Sequence, residues 1–262
     1  KKPTIFFINH LDEENTSFDD AYSQLHEEFG KSVIPFEVPI IENGEYVGTV
    51  NILKNKAWYH HGPKASDHVA QPVPESMADE VAMYKDQIAE AVAMGDDELM
   101  EKFFSGEEFT DAELTKGVRI GVRSGEIIPV FSGSAVQSRG IGRLMDLIVT
   151  YFPSYSEKGV FTAHTPEGEN VELLTTEDEV MTAQVFKTIM DPFVGRISYV
   201  KILSGTLSSD SQVVNGNNGK SEKLGNLFTI KGKHQTAAGK LFTGDIGAIS
   251  KLQYTKTNDT LC

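Results

Sequence analysis

The 262 residues predict an α/β domain that carries an insert and is followed by an all-β domain. Two apolar, β-branched runs, at 4–8 and 127–131, are each followed by a helical pattern, which indicates a parallel sheet with crossover helices. Mixed strand and helix patterns over about 31–125 indicate an α+β insert between them. From 181 onward, short strand patterns alternate with turn signals, which is typical of a β-barrel.

The helices and strands of the first part follow from local signals. Ser17 can cap a helix over 17–29, and Gly30 can end it. A helix over 140–152 follows the second buried run. Within the insert, strands are predicted at 33–41, 46–53 and 57–59, and helices at 76–94, 96–104 and 111–124. Two strands are too few for an independent parallel sheet, so we expect the chain to be part of a longer protein.

Composition and turn signals predict the domain boundaries. We expect the C-terminal part of an α/β domain at 1–153, a linker at 154–180 and a β-barrel at 181–262, truncated at its C-terminal end. The linker is rich in Ser, Thr, Gly, Pro and Glu and has little apolar periodicity. In the barrel, strands are predicted at 182–189, 194–203, 212–215, 222–230 and 246–252.

Composition limits the class of protein. Hydrophobic residues make up 39% and charged residues 24%, as in soluble globular proteins. We find neither an apolar run long enough to cross a bilayer nor a signal peptide. Cys262 is the one cysteine, so an intrachain disulfide is excluded, which fits a reducing compartment. We therefore expect a cytoplasmic protein with no membrane partner.

The net charge of −14 is unevenly distributed. Residues 180–262 contain ten Lys and Arg against five Asp and Glu, and the remainder contains 14 against 33. The acidic first part should repel nucleic acid, whereas the second part can approach a phosphate backbone. An ordinary surface balance explains the small positive excess equally well.

Polar residues follow both buried strands of the α/β part. Asn9, His10 and Asp12 follow the first strand, and Ser134 and Ala135 follow the second. Parallel sheets bind ligands outside the carboxyl ends of their strands, so these loops can enclose one planar ligand. Guanine suits them, because a carboxylate such as Asp12 accepts its adjacent N–H groups and a backbone N–H such as that of Ala135 donates to its carbonyl. Taken alone, Asn9 to Asp12 fits a helix cap or an Asx turn better than a binding site.

The phosphate-binding half of a nucleotide site is missing from the sequence. Gly30-Lys31-Ser32 and Gly219-Lys220-Ser221 have Leu25 and Val214 where a phosphate loop needs its first glycine. No Asp-x-x-Gly turn occurs either. We therefore predict no catalytic residue in this chain and no hydrolysis by it alone.

Histidines suggest a metal site only weakly. His60, His61 and His68 lie near one another in the sequence, without the group of cysteines or carboxylates that usually completes a site. We interpret them as exposed loop residues and predict no metal ligand.

Several motifs, in order along the chain, carry a family resemblance. They are Asn9–Asp12 (NHLD), Pro129–Ala135 (PVFSGSA), Thr165–Gly168 (TPEG), Asp191–Arg196 (DPFVGR) and Thr243–Ala248 (TGDIGA). Together they resemble translation elongation factor G. The first two resemble its guanine motifs, the third its linker and the last two its second domain.

The resemblance implies a fold, an activity and partners. It implies the remnant of a P-loop GTPase domain with its insert, followed by the translation-factor barrel. It implies a GTPase that drives tRNA and mRNA movement on the ribosome, with GTP or GDP and Mg in the full-length protein. Asn9 and Asp12 would read guanine, Ala135 would supply a backbone donor, and the barrel would rest on small-subunit RNA. We expect neither a nucleotide bound by this chain alone nor a DNA partner.

His10 departs from the family pattern. The guanine motif is usually Asn-Lys-x-Asp, and the lysine stem covers the base, whereas an imidazole is shorter. The departure indicates a paralogue and leaves two alternatives open. One is a ribosomal-protection or peptide-release GTPase, and the other is a non-catalytic ribosome- or protein-binding paralogue.

Overall fold

The computed structural model describes residues 2–60, 70–165 and 167–262. These residues divide into two compact units, Lys1–Pro153 and Ser154–Cys262. The helices of the first unit are α1 (Phe18–Phe29), α2 (Ala78–Ala93), α3 (Asp97–Ser105), α4 (Asp111–Ser124) and α5 (Ile141–Tyr151). Its strands are β1 (Phe6–Ile8), β2 (Val33–Pro35), β3 (Glu37–Glu42), β4 (Glu45–Asn51), β5 (Lys56–Tyr59), β6 (Ala70–Gln71) and β7 (Ile128–Ser132).

A parallel sheet of order β1-β7-β2 forms one part of this unit. The sequence analysis predicts two strands in this sheet and one continuous strand over 33–41. Both predictions are wrong, because the sheet has three strands and the segment 33–41 is divided between two sheets. Val33–Pro35 joins the parallel sheet, and the chain then leaves at Phe36, whose N–H donates to Val130 O at 2.9 Å. Most side chains from Val33 to Val38 are buried on both sides of the break, so hydrophobicity does not mark it.

The insert consists of the antiparallel sheet β3-β4-β5-β6, which we call the insert sheet, and helices α2 to α4. The predicted helices at 17–29, 76–94, 96–104, 111–124 and 140–152 are confirmed to within two residues at each end. Thr110 and Glu113 form a reciprocal capping box that begins α4.

One hydrophobic core joins the parallel sheet and the insert. It contains Val33 and Phe131 from the parallel sheet, Val50 from the insert sheet, and Ile88 and Val118 from the helices. The insert is therefore packed into the same core as the strands that lead to the candidate site.

The second unit is rich in β-strands. They are β8 (Val160–His164), β9 (Asn170–Leu174), β10 (Thr182–Asp191), β11 (Gly195–Ser204), β12 (Thr206–Ser208), β13 (Gln212–Val214), β14 (Ser221–Lys223), β15 (Leu227–Lys231), β16 (His234–Ala237), β17 (Lys240–Phe242), β18 (Ile246–Ser250) and β19 (Thr260–Leu261). Six of them form one antiparallel sheet of order β16-β15-β18-β11-β10-β19. The fold class is thus confirmed as a mixed α/β part followed by a β-rich part, and closure into a barrel remains a prediction.

Two features of the second unit differ from the expected pattern. The predicted strand over 222–230 is two strands, β14 and β15, which belong to different sheets. The chain passes close to another strand at Gly225, where a Cβ would lie 2.5 Å from Ser250 O, and an apolar pattern does not reveal such a crossing. The segment 154–180 contains the β8–β9 hairpin, and Pro166 lies outside the described residues.

In the described parts of the chain, no helix combines the length and the apolar character that a membrane span requires.

Candidate functional site

The two predicted loops emerge at the same edge of the parallel sheet. Ile8 and Ser132 are aligned partners at the ends of β1 and β7, so Asn9 and Gly133 follow side by side. Gly133 N donates to Ile8 O at 3.0 Å, and Leu11 N donates to Gly133 O at 3.2 Å. The strand pairing therefore continues into the loops and holds them together.

The side chain of Asn9 connects the two loops directly. Its Oδ1 accepts a hydrogen bond of 2.8 Å from the backbone N–H of Ala135. This N–H is the donor that we predict for the guanine carbonyl. In this structure the Ala135 N–H donates to Asn9 Oδ1. A guanine carbonyl must therefore share this donor with Asn9 or displace the Asn9 oxygen from it.

Asp12 offers an acceptor that the described residues do not use. Its side chain is half-buried, and Oδ1 is buried without a hydrogen-bond partner among those residues. A hydrogen bond from the Ser134 side chain is the main cause that lowers the pKa of Asp12 below its ordinary value, and the charges of His10 and Arg139 add to it. Asp12 is therefore a carboxylate at neutral pH.

Ser134 is positioned by its surroundings. It is 1% exposed, and its Oγ accepts from Gln137 N at 3.1 Å. The sequence analysis places Ser134 beside Ala135 in the second loop and gives it no separate role. The structure adds that the Ser134 side chain lowers the pKa of Asp12.

His10 points toward its own loop. Its backbone is left-handed, with φ of 65°, a conformation that histidine adopts more readily than most residues. Its Nδ1 lies 2.8 Å from Glu13 Oε1, and both side chains are more than half exposed. The imidazole is thus held by Glu13 at the surface.

Three residues that sequence reasoning did not identify shape the second loop, residues 133–139, which we call the base-side loop. Ser134 and Arg139 exchange two backbone hydrogen bonds, of 3.1 and 2.9 Å. A Cβ on Gly133 would lie 2.3 Å from Arg139 O, and Gly140 has φ of 80° with a Cβ position 2.5 Å from Ser132 O. The glycines before and after the Ser-Ala pair are a visible signal, but only the backbone path shows what they do.

The remaining candidates do not converge on a second site. Gly30 caps the end of α1 and opens only a single 3-10 turn, and Gly219 to Ser221 lies at the β13–β14 hairpin, so neither begins an α-helix as a phosphate loop does. His60 is not an exposed loop residue as predicted, because its ring packs edge-on against Tyr46 with centroids 4.8 Å apart. His61 and His68 lie outside the described residues. Over the described ranges, no three His, Cys, Asp or Glu side chains are grouped to hold a metal.

The sequence prediction places guanine against these groups, with Asp12 at its N–H edge and the Ala135 N–H at its carbonyl edge. Among the described residues, Oδ1 of Asp12 has no hydrogen-bond partner, and the Ala135 N–H donates to Asn9. Neither the sequence nor the described geometry provides a corresponding cradle for phosphates and Mg²⁺.

Comparison with known proteins gives two findings. Residues 180–262 match the family model described as elongation factor G domain 2. The whole fold is similar to a crystal structure of a protein from Thermus thermophilus, with a TM-score of 0.82 and 23% identity. That match covers 99% of this chain, which spans 36% of the Thermus chain. The predicted resemblance to elongation factor G is confirmed by the match of residues 180–262 to the model of its second domain, and the Thermus structure, at 23% identity, shows the same fold.

Proposed function

We propose that this chain is the base-reading segment of a translational GTPase of the elongation factor G type, which uses GTP to move tRNA and mRNA on the ribosome. The supporting observation is that Asn9 and Ala135 are joined at the sheet edge, next to the loop of Asp12, whose Oδ1 has no hydrogen-bond partner among the described residues. The proposed domains are the end of the GTPase domain at 1–153 with its insert at about 31–125, a linker at 154–180 and a barrel at 181–262.

The recognition chemistry follows from these three residues. The Asp12 carboxylate accepts the adjacent N–H groups of guanine, which adenine lacks on that edge. The Ala135 N–H donates to the guanine carbonyl while the Asn9 amide holds the base-side loop. A site built on such paired hydrogen bonds rejects analogues by factors of up to ~10⁴–10⁵.

Phosphate binding belongs to another segment in this proposal. GTP or GDP with Mg²⁺ binds in the full-length protein, where a phosphate loop and switch regions provide charge stabilisation during phosphoryl transfer. This chain holds and orients the base and does not hydrolyse GTP alone. We place the protein in the cytoplasm, with no membrane or DNA partner.

We propose that the second unit contacts the small-subunit RNA of the ribosome. Its support is the balance of ten basic against five acidic residues over 180–262, in contrast to the acidic remainder. Basic surface favours a phosphate backbone, and such contacts weaken as salt rises.

Ribosome-stimulated GTP hydrolysis and tRNA–mRNA movement by the full-length protein test this function. We expect both activities, and the Asp12→Asn variant should lose both with GTP. Hydrolysis without movement supports the ribosomal-protection or peptide-release alternative. A full-length protein that binds the ribosome but shows neither hydrolysis nor movement would contradict the GTPase proposal.

A second candidate is a non-catalytic paralogue that binds the ribosome or another protein. The observation that favours it is the pairing of His10 with Glu13 at the surface, where the usual lysine would cover the base. An intact phosphate loop and Asp-x-x-Gly turn in the full-length protein would exclude it.

A further inference from the structure

Two arginines connect the neighbourhood of the base-side loop to the insert sheet. Arg139 Nη1 donates to the carbonyl of Tyr46 on β4 at 2.8 Å, across 93 positions of sequence. Arg143, on α5, lies over the Trp58 ring at 3.9 Å from its centroid, and its Nε is 3.6 Å from Glu37 Oε1. Three of the four strands of the insert sheet, β3, β4 and β5, are therefore contacted from this one segment.

The backbone transmits the position of Arg139 to the residues that meet the base. Arg139 and Ser134 exchange hydrogen bonds through both of their backbone groups. The backbone at Gly133 also passes close to that of Arg139, since a Cβ on Gly133 would lie 2.3 Å from Arg139 O. Where Arg139 is fixed, Ser134 and Ala135 are fixed with it.

The anchor on the insert side is rigid. Tyr46 is 3% exposed and packs against His60, and its strand approaches β5 so closely that a Cβ on Gly48 would lie 2.6 Å from Trp58 O. Tyr46 belongs to the core shared by the insert and the parallel sheet. The Tyr46 carbonyl cannot move without disturbing that packing.

We propose that Arg139 is a positioning residue through which the insert sheet holds the base-side loop in its base-reading geometry. Arg139 acts through Ser134 and Ala135 and makes no contact with the base itself. The inference rests on the proposed function for its ligand, but the coupling concerns the free chain and is measurable without nucleotide.

Amide hydrogen exchange on the 262-residue chain tests the coupling. Arg139→Met keeps an unbranched apolar stem and removes the donor, and we expect exchange at the Ala135 N–H to become about five- to tenfold faster. Arg139→Lys, which can donate to the same carbonyl, should restore most of the protection. Arg119→Met is the matched control, because Arg119 Nη1 also donates to a backbone carbonyl at 2.8 Å, that of Thr150. The control should leave Ala135 unchanged.

GDP affinity of the full-length protein provides the second measurement, at pH 7.5, where Asp12 is ionised in every variant. Arg139→Met should weaken GDP binding about five- to tenfold, matching the change in exchange. Unchanged exchange at Ala135 overturns the coupling. If exchange at Ala135 becomes faster but GDP affinity is unchanged, Arg139 orders the loop without positioning it for the base, and that part of the proposal is overturned. A wild-type protein that does not bind GDP refutes the proposed function, while the exchange result still decides the coupling.

Discussion

The Ala135 backbone N–H and the Asn9 side-chain oxygen are 2.8 Å apart although 126 residues separate them in the sequence. The whole insert lies between the two residues. Their contact depends on the parallel alignment of Ile8 with Ser132, which brings both loops to one edge. The hydrogen bond between Asn9 and Ala135 joins the two loops that form the candidate binding site.

Removing the acceptor should loosen this contact. Asn9→Ala leaves the Ala135 N–H without its partner, and we expect about fivefold faster amide exchange there, as befits the loss of one hydrogen bond. Asn9→Asp keeps an acceptor oxygen and should preserve the protection. Equal protection in wild type and Asn9→Ala would show that the bond does not order the loop in solution.

The close backbone approach in the base-side loop predicts a contrast between two glycines. Gly133→Ala places a methyl group 2.3 Å from Arg139 O, so we expect a loss of about 1–3 kcal/mol in the free energy of unfolding. Gly142→Ala, at a site in α5 where no described residue outside the helix's own backbone lies within 4 Å of the added Cβ, should gain up to about 1 kcal/mol. Denaturant titration of both variants measures the contrast, and equal effects would contradict it.

Glu37 predicts a pH dependence of stability. Burial is the main cause that raises its pKa to about 7, and Arg143 and Asn51 only partly oppose it. Because the folded state holds the proton more tightly, the stability that it adds is complete below about pH 4.5 and is lost as pH rises to about 7. The free energy of unfolding should fall by up to about 3 kcal/mol across this window.

Two variants isolate this contribution. Glu37→Gln cannot titrate and should remove the fall in stability between pH 4.5 and 7. Glu113 has a pKa lowered to about 2, chiefly by Lys102, so its contribution changes below that window. Glu113→Gln should therefore leave the fall unchanged. A fall that persists in Glu37→Gln would mean that another group causes it.

His10→Lys tests the departure from the guanine motif. If this position covers the base, the longer stem should strengthen GDP binding to the full-length protein by about fourfold for each methylene newly buried. Glu13→Gln, which weakens the present partner of His10 without adding length, serves as the control. If GDP affinity is the same in wild type, His10→Lys and Glu13→Gln, the side chain at position 10 does not meet the base.

The sequence predicts the helices and the two site loops well, because capping residues, helical periodicity and terminal glycines are local signals. Ser17 and Gly30 stand at the two ends of α1, as the sequence predicts. It fails at Phe36 and Gly225, where a continuous strand pattern crosses from one sheet to another. Such a crossing is fixed by tertiary packing, which side-chain periodicity does not encode.

The meeting of the two loops at one sheet edge was predictable, and the bonds that join them were not. Asn9, Asp12 and Ala135 follow two buried strands, and their role toward guanine stays a prediction. The bond between Asn9 and Ala135 and the link from Arg139 to Tyr46 join residues far apart in sequence, through backbone groups that every residue possesses. No residue type marks a backbone carbonyl as an anchor, so these connections appear only in the structure.

The nucleotide preference of Asp12→Asn in the full-length protein tests the central claim most directly. Xanthine has a carbonyl where guanine has an amino group, so an amide at position 12 can donate to it, whereas the carboxylate cannot. We predict that wild type prefers GDP over XDP and that Asp12→Asn inverts the preference, while Asp20→Asn, at the exposed first turn of α1, keeps it. An Asp12→Asn protein that still prefers GDP would contradict the assignment of these loops to guanine.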